Sequence, residues 1–397
     1  MNLKRDSSVE DTPAHPNQLP TEVVGRIVRA AATDALLKDK ITTAHICRYV
    51  ASIAYPIVFE TTTFNASACG ACFTAGETFF FLDTATKAGE RAIPLVRHLV
   101  FTGEIKDEGE KNAYDSHVLL GKVLSICSRF PNLNEVELEH MTCTALPFPQ
   151  GLFPAAIVLE NVTALTVDIY DTRDATKALT SFAQAFPNLD RLHVRTTRIM
   201  SAADWVAIEP SLADMEIFPK HLRIGRVTDD RIIYANALIE AASSSVEEIT
   251  LYLSPTHPQV QGINRETHLS LLGADRLTKL NVIVPFSPIP SGAETKAVTR
   301  SLIPMLATRP DALADIVITI FTRPRKLDAL VRALSDLPAK AICRALGKGG
   351  AAFHSLTFQL NVGVNKAGCA GQDAWEALYE RCPMWFPTDM DFAVLYE

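Results

Sequence analysis

The sequence contains no apolar run that approaches the roughly 18 uninterrupted residues needed to span a membrane as a helix. Residues 1–17 are polar and include proline, whereas a secretory signal peptide has an apolar centre. Residues 1–18 also lack periodic apolar side chains, so we expect a flexible tail there. These absences predict a cytoplasmic or nuclear protein with no membrane partner.

An excess of positive charge is also absent. The chain has 38 Lys and Arg against 45 Asp and Glu, a formal net charge of −7. Because nucleic-acid binding requires basic side chains clustered on one face, this composition argues against a nucleic-acid partner. The 8 cysteines are expected to be free thiols, since Cys47 and Cys127 lie within apolar helical patterns where a thiol acts as a small hydrophobe.

Motifs for catalysis and for metal binding are missing as well. The sequence has no nucleophile elbow, zinc-protease, kinase or dinucleotide motif. Cys69 and Cys72 have the spacing of half a zinc site, but a structural zinc needs four ligands and no suitable second pair follows. We therefore expect no enzymatic activity, no cofactor and no metal site. A catalytic site assembled from residues distant in sequence remains a weaker alternative.

What the sequence does have is one recurring pattern, apolar-x-x-apolar-x-apolar, at steps of 27 to 40 residues. Its nine occurrences are Val96/Leu99/Phe101, Leu133/Val136/Leu138, Val162/Leu165/Val167, Leu189/Leu192/Val194, Pro219/Leu222/Ile224, Val246/Ile249/Leu251, Leu277/Leu280/Val282, Leu313/Ile316/Ile318 and Phe353/Leu356/Phe358. Repetition at a period of roughly 20 to 50 residues is typical of a solenoid.

Candidate helices lie between these triplets, so each repeat is predicted to contain a strand and a helix. They are 116–130, 175–186, 232–242, 296–307, 327–346 and 373–381. Stacked repeats would form a parallel sheet on the concave side, with the helices on the convex side. We thus predict an irregular leucine-rich-repeat arc over 61–397, with loops at 66–76 and 285–292 and an unclear first repeat near 78–82.

The segment 19–60 resembles an F-box domain. It contains Leu-Pro-x-Glu at 19–22, a Leu pair at 36–37, Ile-Cys-Arg at 46–48 and a closing Pro with Phe at 56–59. An F-box followed by irregular leucine-rich repeats is similar to the large F-box family of basidiomycete fungi. The complete prediction is an α/β protein in which a helical F-box-like segment precedes a leucine-rich-repeat solenoid.

That resemblance implies a partner for each part of the chain. The F-box would dock on a Skp-type adaptor within a cullin complex, and the repeats would hold a target protein for ubiquitin transfer. The residues implied in adaptor contact or helix packing are Leu19, Pro20, Val23, Ile27, Val28, Ile46, Cys47 and Val50. The alternative is a leucine-rich-repeat scaffold whose F-box-like segment only caps the open end of the first repeat.

Target binding is predicted on the outward strand residues, because successive side chains of a strand alternate between the two faces of a sheet. The candidates are Glu135, Glu137, Glu139, Asp168, Arg191, His193, Arg195, Arg223 and Tyr252. In this arrangement an acidic band lies beside a basic one, which favours a partner with the reversed pattern. Tyr252 is the predicted aromatic anchor, since Tyr is enriched in binding hot spots.

Overall fold

The structure of the chain is a computed structural model. The residues that it describes are 59–66, 73–75, 92–102, 120–139, 157–169, 182–196, 217–227, 232–253, 268–285, 292–322, 355–362 and 391–396, with Arg26, Pro56 and Leu179. The chain divides into two compact units. One comprises Met1–Thr62 with Glu77–Val96, and the other comprises Thr63–Gly76 with Arg97–Glu397.

The dominant feature is one sheet whose strands, except for the first two, follow one another in sequence order. The strands are β1 (Thr61–Ala66), β2 (Phe73–Ala75), β3 (His98–Thr102), β4 (Glu135–Glu139), β5 (Ala164–Ile169), β6 (Arg191–Thr196), β7 (His221–Val227), β8 (Glu248–Leu253), β9 (Lys279–Pro285), β10 (Asp315–Thr322), β11 (Ser355–Val362) and β12 (Asp391–Tyr396). From β3 to β12 each strand pairs in parallel with the next. An α/β fold with a sequential parallel sheet is therefore confirmed, and it is compatible with a solenoid.

Each of the nine predicted triplets contributes its last two apolar residues to one of the strands β3 to β11. The register pairs equivalent positions of neighbouring repeats, so that Val136 lies beside Leu165, Leu165 beside Leu192 and Leu192 beside Leu222. From β3 to β10 these aliphatic side chains are buried. The alternation that indicated strands in the sequence is thus the alternation between the two faces of this sheet.

The backbone enters each strand in the same way. The carbonyl before a strand accepts hydrogen bonds from two successive N–H groups of the next repeat: Asn134 O accepts from Thr163 and Ala164 at 2.9 and 3.1 Å. The same arrangement recurs at Arg97, Thr163, Asp190, Lys220, Glu247 and Thr278. Because the connection repeats from one strand to the next, insertions of different length between strands leave the register intact.

Polar side chains reinforce the turns that precede the strands. Asn161 Nδ2 donates to Pro131 O at 2.8 Å, and Asn188 Nδ2 donates to Glu160 O at 2.9 Å. Ser245 Oγ makes the corresponding bond to Pro219 O at 3.1 Å. Each bond joins one repeat to the preceding one, so the turns form a ladder along one edge of the sheet.

Besides the short 3-10 helix Ile93–Leu95, three α-helices have defined bounds within the described residues: α1 (Leu120–Cys127), α2 (Ile232–Ala241) and α3 (Gly292–Ala307). Each lies in or overlaps a segment predicted to be helical, and residues 182–185 are helical as well. Helix α2 packs against β7 and buries Tyr234, Leu238 and Ile239. The thiol of Cys127 is free and buried, and that burial raises its pKa.

Two parts of the sheet were not predicted from the triplets. Strand β1 pairs antiparallel with β2, which lies within the loop predicted at 66–76. It also stacks Phe64 on Phe101 with ring centroids 5.3 Å apart. Strand β12 adds a parallel strand beyond the last triplet. The predicted first repeat at 78–82 and the predicted helices at 327–346 and 373–381 lie outside the described residues.

Candidate functional site

The side chains of β3 to β9 that face away from the buried aliphatic side form a continuous polar surface, here called the polar face. Its main members are His98, Glu135, Glu137, Glu139, Thr166, Arg191, His193, Arg195, His221, Arg223, Glu248, Thr250, Tyr252, Lys279 and Asn281. Two rows run across the strands. The first begins at His98 and ends at Lys279, and the second begins at Glu137 and ends at Asn281.

On β4 to β6 the acidic and basic side chains pair with each other. Arg195 reaches from β6 to two carboxylates of β4, at 2.7 Å from Glu137 and 3.0 Å from Glu139. Arg191, also on β6, lies 4.0 Å from Glu135 of β4. These contacts pass over β5, and strands two apart are separated by about 10 Å. The small residues Ala164 and Thr166 on β5 leave the space that the arginines need.

Glu137 is the most enclosed carboxylate of that group, with its side chain 14% exposed. His98 Nε2 lies 3.5 Å from its second oxygen. The His98 ring first, and then the Arg195 guanidinium, lower the pKa of Glu137 although its partial burial acts in the opposite direction. Glu137 is therefore ionised at neutral pH, and its charge is opposed by the Arg195 guanidinium.

On β7 to β9 a second carboxylate, that of Glu248, is held by side chains of neighbouring strands. Glu248 lies 3.1 Å from Lys279 Nζ and 3.4 Å from His221 Nδ1. It also accepts a hydrogen bond of 2.6 Å from Asn281 Nδ2. The amide of Asn281 reaches Thr250 Oγ1 at 3.3 Å as well, so three strands share one polar network.

Arg223 differs from the other arginines of the polar face because an aromatic side chain takes the place of a carboxylate. Its guanidinium donates to the Tyr252 hydroxyl and lies 4.8 Å from the centroid of that ring. A bulge in β7 allows this contact: Gly225 and Arg226 together lie opposite Tyr252, and Arg226 has a φ of 50°. Since Gly225 has no side chain, the space beside Tyr252 is available to Arg223.

His193 lies between these two groups of charges, beside Thr166 on one side and Arg223 on the other. Burial, and then the positive charges of Arg223 and Arg195, lower its pKa to about 4, while Glu137 acts weakly in the other direction. The imidazole is therefore neutral at pH 7. It can donate or accept one hydrogen bond there without adding charge.

A cavity of about 280 Å³ opens on this part of the polar face. Its lining comprises Glu135, Ala164, Leu165, Thr166, Arg191, Leu192, His193, His221, Leu222, Arg223, Glu248 and Thr250. These residues belong to five neighbouring strands, β4 to β8. The cavity therefore exists only because the repeats stack in register.

Eight of the nine predicted target-binding residues have described side chains, and all eight lie on the polar face. Asp168 lies on β5 with its backbone beside Arg195, and its side chain is outside the described residues. Seven members of the polar face were not among the predicted candidates: His98, Thr166, His221, Glu248, Thr250, Lys279 and Asn281. His221 and Glu248 could have been found, because each comes directly before the second apolar residue of its triplet, as Glu135 and Arg191 do.

The predicted adaptor-contact residues lie outside the described residues. In the surrounding segment Arg26 and Pro56 are helical and exposed, and Phe59 is helical and buried. No grouping of His, Cys, Asp or Glu suited to a metal ion occurs among the residues with described placement. Within that same portion of the chain, none of the helices combines the length and the apolar character required to cross a bilayer.

Comparison of the chain with protein-family models gives no match. A search of characterised proteins gives no match either. The polar face and its cavity are therefore the observations from which a function can be argued.

Proposed function

We propose that this protein is a non-catalytic target receptor of a Skp-cullin-F-box ubiquitin ligase in the cytoplasm or nucleus. In this proposal 19–60 binds the Skp-type adaptor, and the polar face of the repeats binds a target protein. The single observation that carries the proposal is the polar face itself. Seven consecutive parallel strands present ordered charged, aromatic and amide side chains on one surface.

The composition of that surface favours protein recognition. Its guanidinium, carboxylate and tyrosine groups suit the polar contacts and aromatic anchors of protein interfaces. The charged groups are also positioned by neighbouring side chains, as in the contacts of Arg195 with Glu137 and of Asn281 with Glu248. A surface held in place before binding loses less conformational entropy when a partner associates.

A receptor of this kind needs no chemistry of its own. It holds a target lysine near the enzyme that transfers ubiquitin, and so raises the effective concentration of one group at the other. Two separate surfaces are required, one for the adaptor and one for the target. The resemblance at 19–60 supports the first, and the polar face supports the second.

The adaptor surface is tested by affinity purification of the tagged full chain with quantitative mass spectrometry. Ile27→Asp places a charge on a residue implied in adaptor docking, and burying that charge at an interface is costly. We expect recovery of adaptor and cullin to fall at least about tenfold, which corresponds to about 1.4 kcal/mol.

The matched control is Arg26→Asp, which introduces the same side chain at the neighbouring exposed helical position. This control is expected to keep its adaptor, since an exposed charge costs little. Equal recovery by Ile27→Asp and the unaltered chain would reject adaptor docking through this segment. The scaffold alternative, in which 19–60 is only a cap, would then account for the F-box-like motif.

A further inference from the structure

The charged side chains that line the cavity on the polar face are not all paired with a side chain of opposite charge. Among its charged lining residues, Glu135 has Arg191 as a partner, and Glu248 has Lys279 and His221. Arg223 contacts Tyr252 through both its hydroxyl and its ring. Within the described part of the chain no carboxylate forms an ion pair with Arg223, so the described residues leave one positive charge of the cavity without an acidic partner.

Groups that could complete an anion site lie beside that charge. Thr250 is the register neighbour of Arg223 on β8, and His193 is its neighbour on β6. The Thr250 hydroxyl accepts from Asn281 and can still donate its own proton to a ligand. The imidazole of His193 can donate one further hydrogen bond while it remains neutral.

From this geometry we infer that the cavity on β6 to β8 binds a single side-chain carboxylate, Asp or Glu, of a partner protein. Arg223 would form the ion pair, and Thr250 and His193 would donate hydrogen bonds. The inference rests on the proposed function, since it states the chemistry by which the polar face recognises its target. It also adds Thr250 to the predicted binding residues.

Charge and size both favour a carboxylate over a phosphate. A phosphate group carries about −1.5 to −2 at neutral pH, whereas Arg223 supplies one positive charge. The carboxylates of Glu135 and Glu248 line the same cavity and would repel the additional negative charge. The volume of about 280 Å³ also lies at or below the lower limit of typical small-molecule sites, about 300 Å³, and suits one side chain.

The test uses three immobilised hexapeptide libraries that are identical except at one fixed position, which is Glu, Gln or phosphoserine. The probe is the fluorescently labelled full chain. We expect at least about tenfold more retention on the Glu library than on the Gln library, because a charge-assisted hydrogen bond replaces a neutral one. Equal retention on these two libraries, or stronger retention on phosphoserine, would overturn the inference.

Two substitutions at Thr250 identify the site within the protein. Thr250→Glu places a carboxylate beside Arg223 and should occupy the site from within, which abolishes the preference for the Glu library. Thr250→Gln is the control of the same size; it loses the same hydroxyl but adds no charge, so it should keep most of the preference. If both variants prefer the Glu library equally, the site is not here and the inference fails.

A second pair of variants removes the positive charge. Arg223→Gln should lose the Glu preference, whereas Arg276→Gln makes the same change of charge at an exposed turn position and should keep it. Thermal melting establishes that each variant is folded. If Arg223→Gln retains the preference, the assignment of the ion pair is wrong.

Adaptor recovery is measured on the same proteins. It should be unchanged in every polar-face variant. Absence of the adaptor from the unaltered chain counts against the proposed function alone, whereas absence of a preference for Glu over Gln in the unaltered chain counts against the carboxylate site alone.

Discussion

The two halves of the polar face use the same kinds of side chain in different ways. On β4 to β6 each arginine with a described side chain contacts a carboxylate of the same face. On β7 and β8, Arg223 contacts an aromatic ring, and the nearby Glu248 is bound by other groups. The comparison teaches that the acidic and basic side chains of β4 to β6 pair with each other, whereas on β7 and β8 an arginine contacts an aromatic ring instead of a described carboxylate.

The physical reason for the difference is the strand that lies between the charges. Ala164 and Thr166 are short, so side chains of β6 can extend over β5 to β4. Thr166 itself is only 9% exposed beneath them. Beyond β6, Arg223 faces the ring of Tyr252 and not a carboxylate, and β7 bulges at Gly225 and Arg226 opposite that ring.

The largest expected effects test whether the two halves differ only on the polar face. Leu165→Ala in β5 and Leu251→Ala in β8 each remove a buried aliphatic side chain. Both should lower the free energy of unfolding by a similar amount, about 2–5 kcal/mol, as the transfer and cavity terms add. The measurement is urea denaturation followed by circular dichroism. A change below about 1 kcal/mol in one variant would show that the aliphatic sides of the two halves are not equivalent.

Within the paired half, a smaller effect should separate enclosed from exposed ion pairs. Glu137→Gln removes the charge facing Arg195 and His98 and should cost about 1–3 kcal/mol of unfolding free energy. Glu135→Gln is the control: its side chain is 34% exposed and its partner Arg191 is 59% exposed. It should therefore cost less than about 1 kcal/mol. Equal losses in the two variants would contradict the role assigned to burial.

The smallest expected effect is a change in pH dependence at His193, where the two halves meet. Its pKa of about 4 in the folded protein lies below the unfolded value of about 6.5. The unfolded chain therefore binds the proton first, and the folded state loses stability as the pH falls from about 6.5 to about 4. In His193→Gln this contribution is absent, so stability should fall less over that interval.

Urea denaturation midpoints at pH 7.0 and pH 4.5 measure this effect. Glu137 acts in the same direction but at lower pH. Its pKa is lower in the folded protein than in the unfolded chain. It therefore stabilises the folded state at pH values above its unfolded pKa, and this stabilisation is lost as the pH falls through its folded pKa. The His193→Gln variant and the unaltered chain are compared at both values. Equal shifts of midpoint in the two proteins would show that the imidazole is not held neutral by its surroundings.

Much of the fold could be predicted from the sequence, because strand alternation and repeat spacing are local properties. The pattern around Leu165, Leu192 and Leu222 indicates both the strands and their buried sides without any knowledge of neighbours. Strand β12 and the β1–β2 pair lack that triplet, so the same reasoning missed them. The target-binding candidates followed from alternation as well, which is why their described side chains lie on one face.

The pairing of these candidates could not be predicted in the same way. Whether Arg195 meets Glu139 depends on the residues of β5, and the two partners are separated by 56 positions. Alternation within each strand predicts that an acidic band lies beside a basic one. It takes no account of the short side chains on the strand between them. Glu248 acquires its partners from two neighbouring strands, His221 on β7 and Lys279 and Asn281 on β9.

The sequence alone determined which residues form strands and which side of each strand is buried, because the two-residue period acts within a single segment of chain. Tertiary structure decided which charges pair with each other and which arginine contacts a tyrosine instead. That outcome depends on strand separation, side-chain length and the bulge in β7. All three bring together residues from different repeats, and no single repeat contains the information.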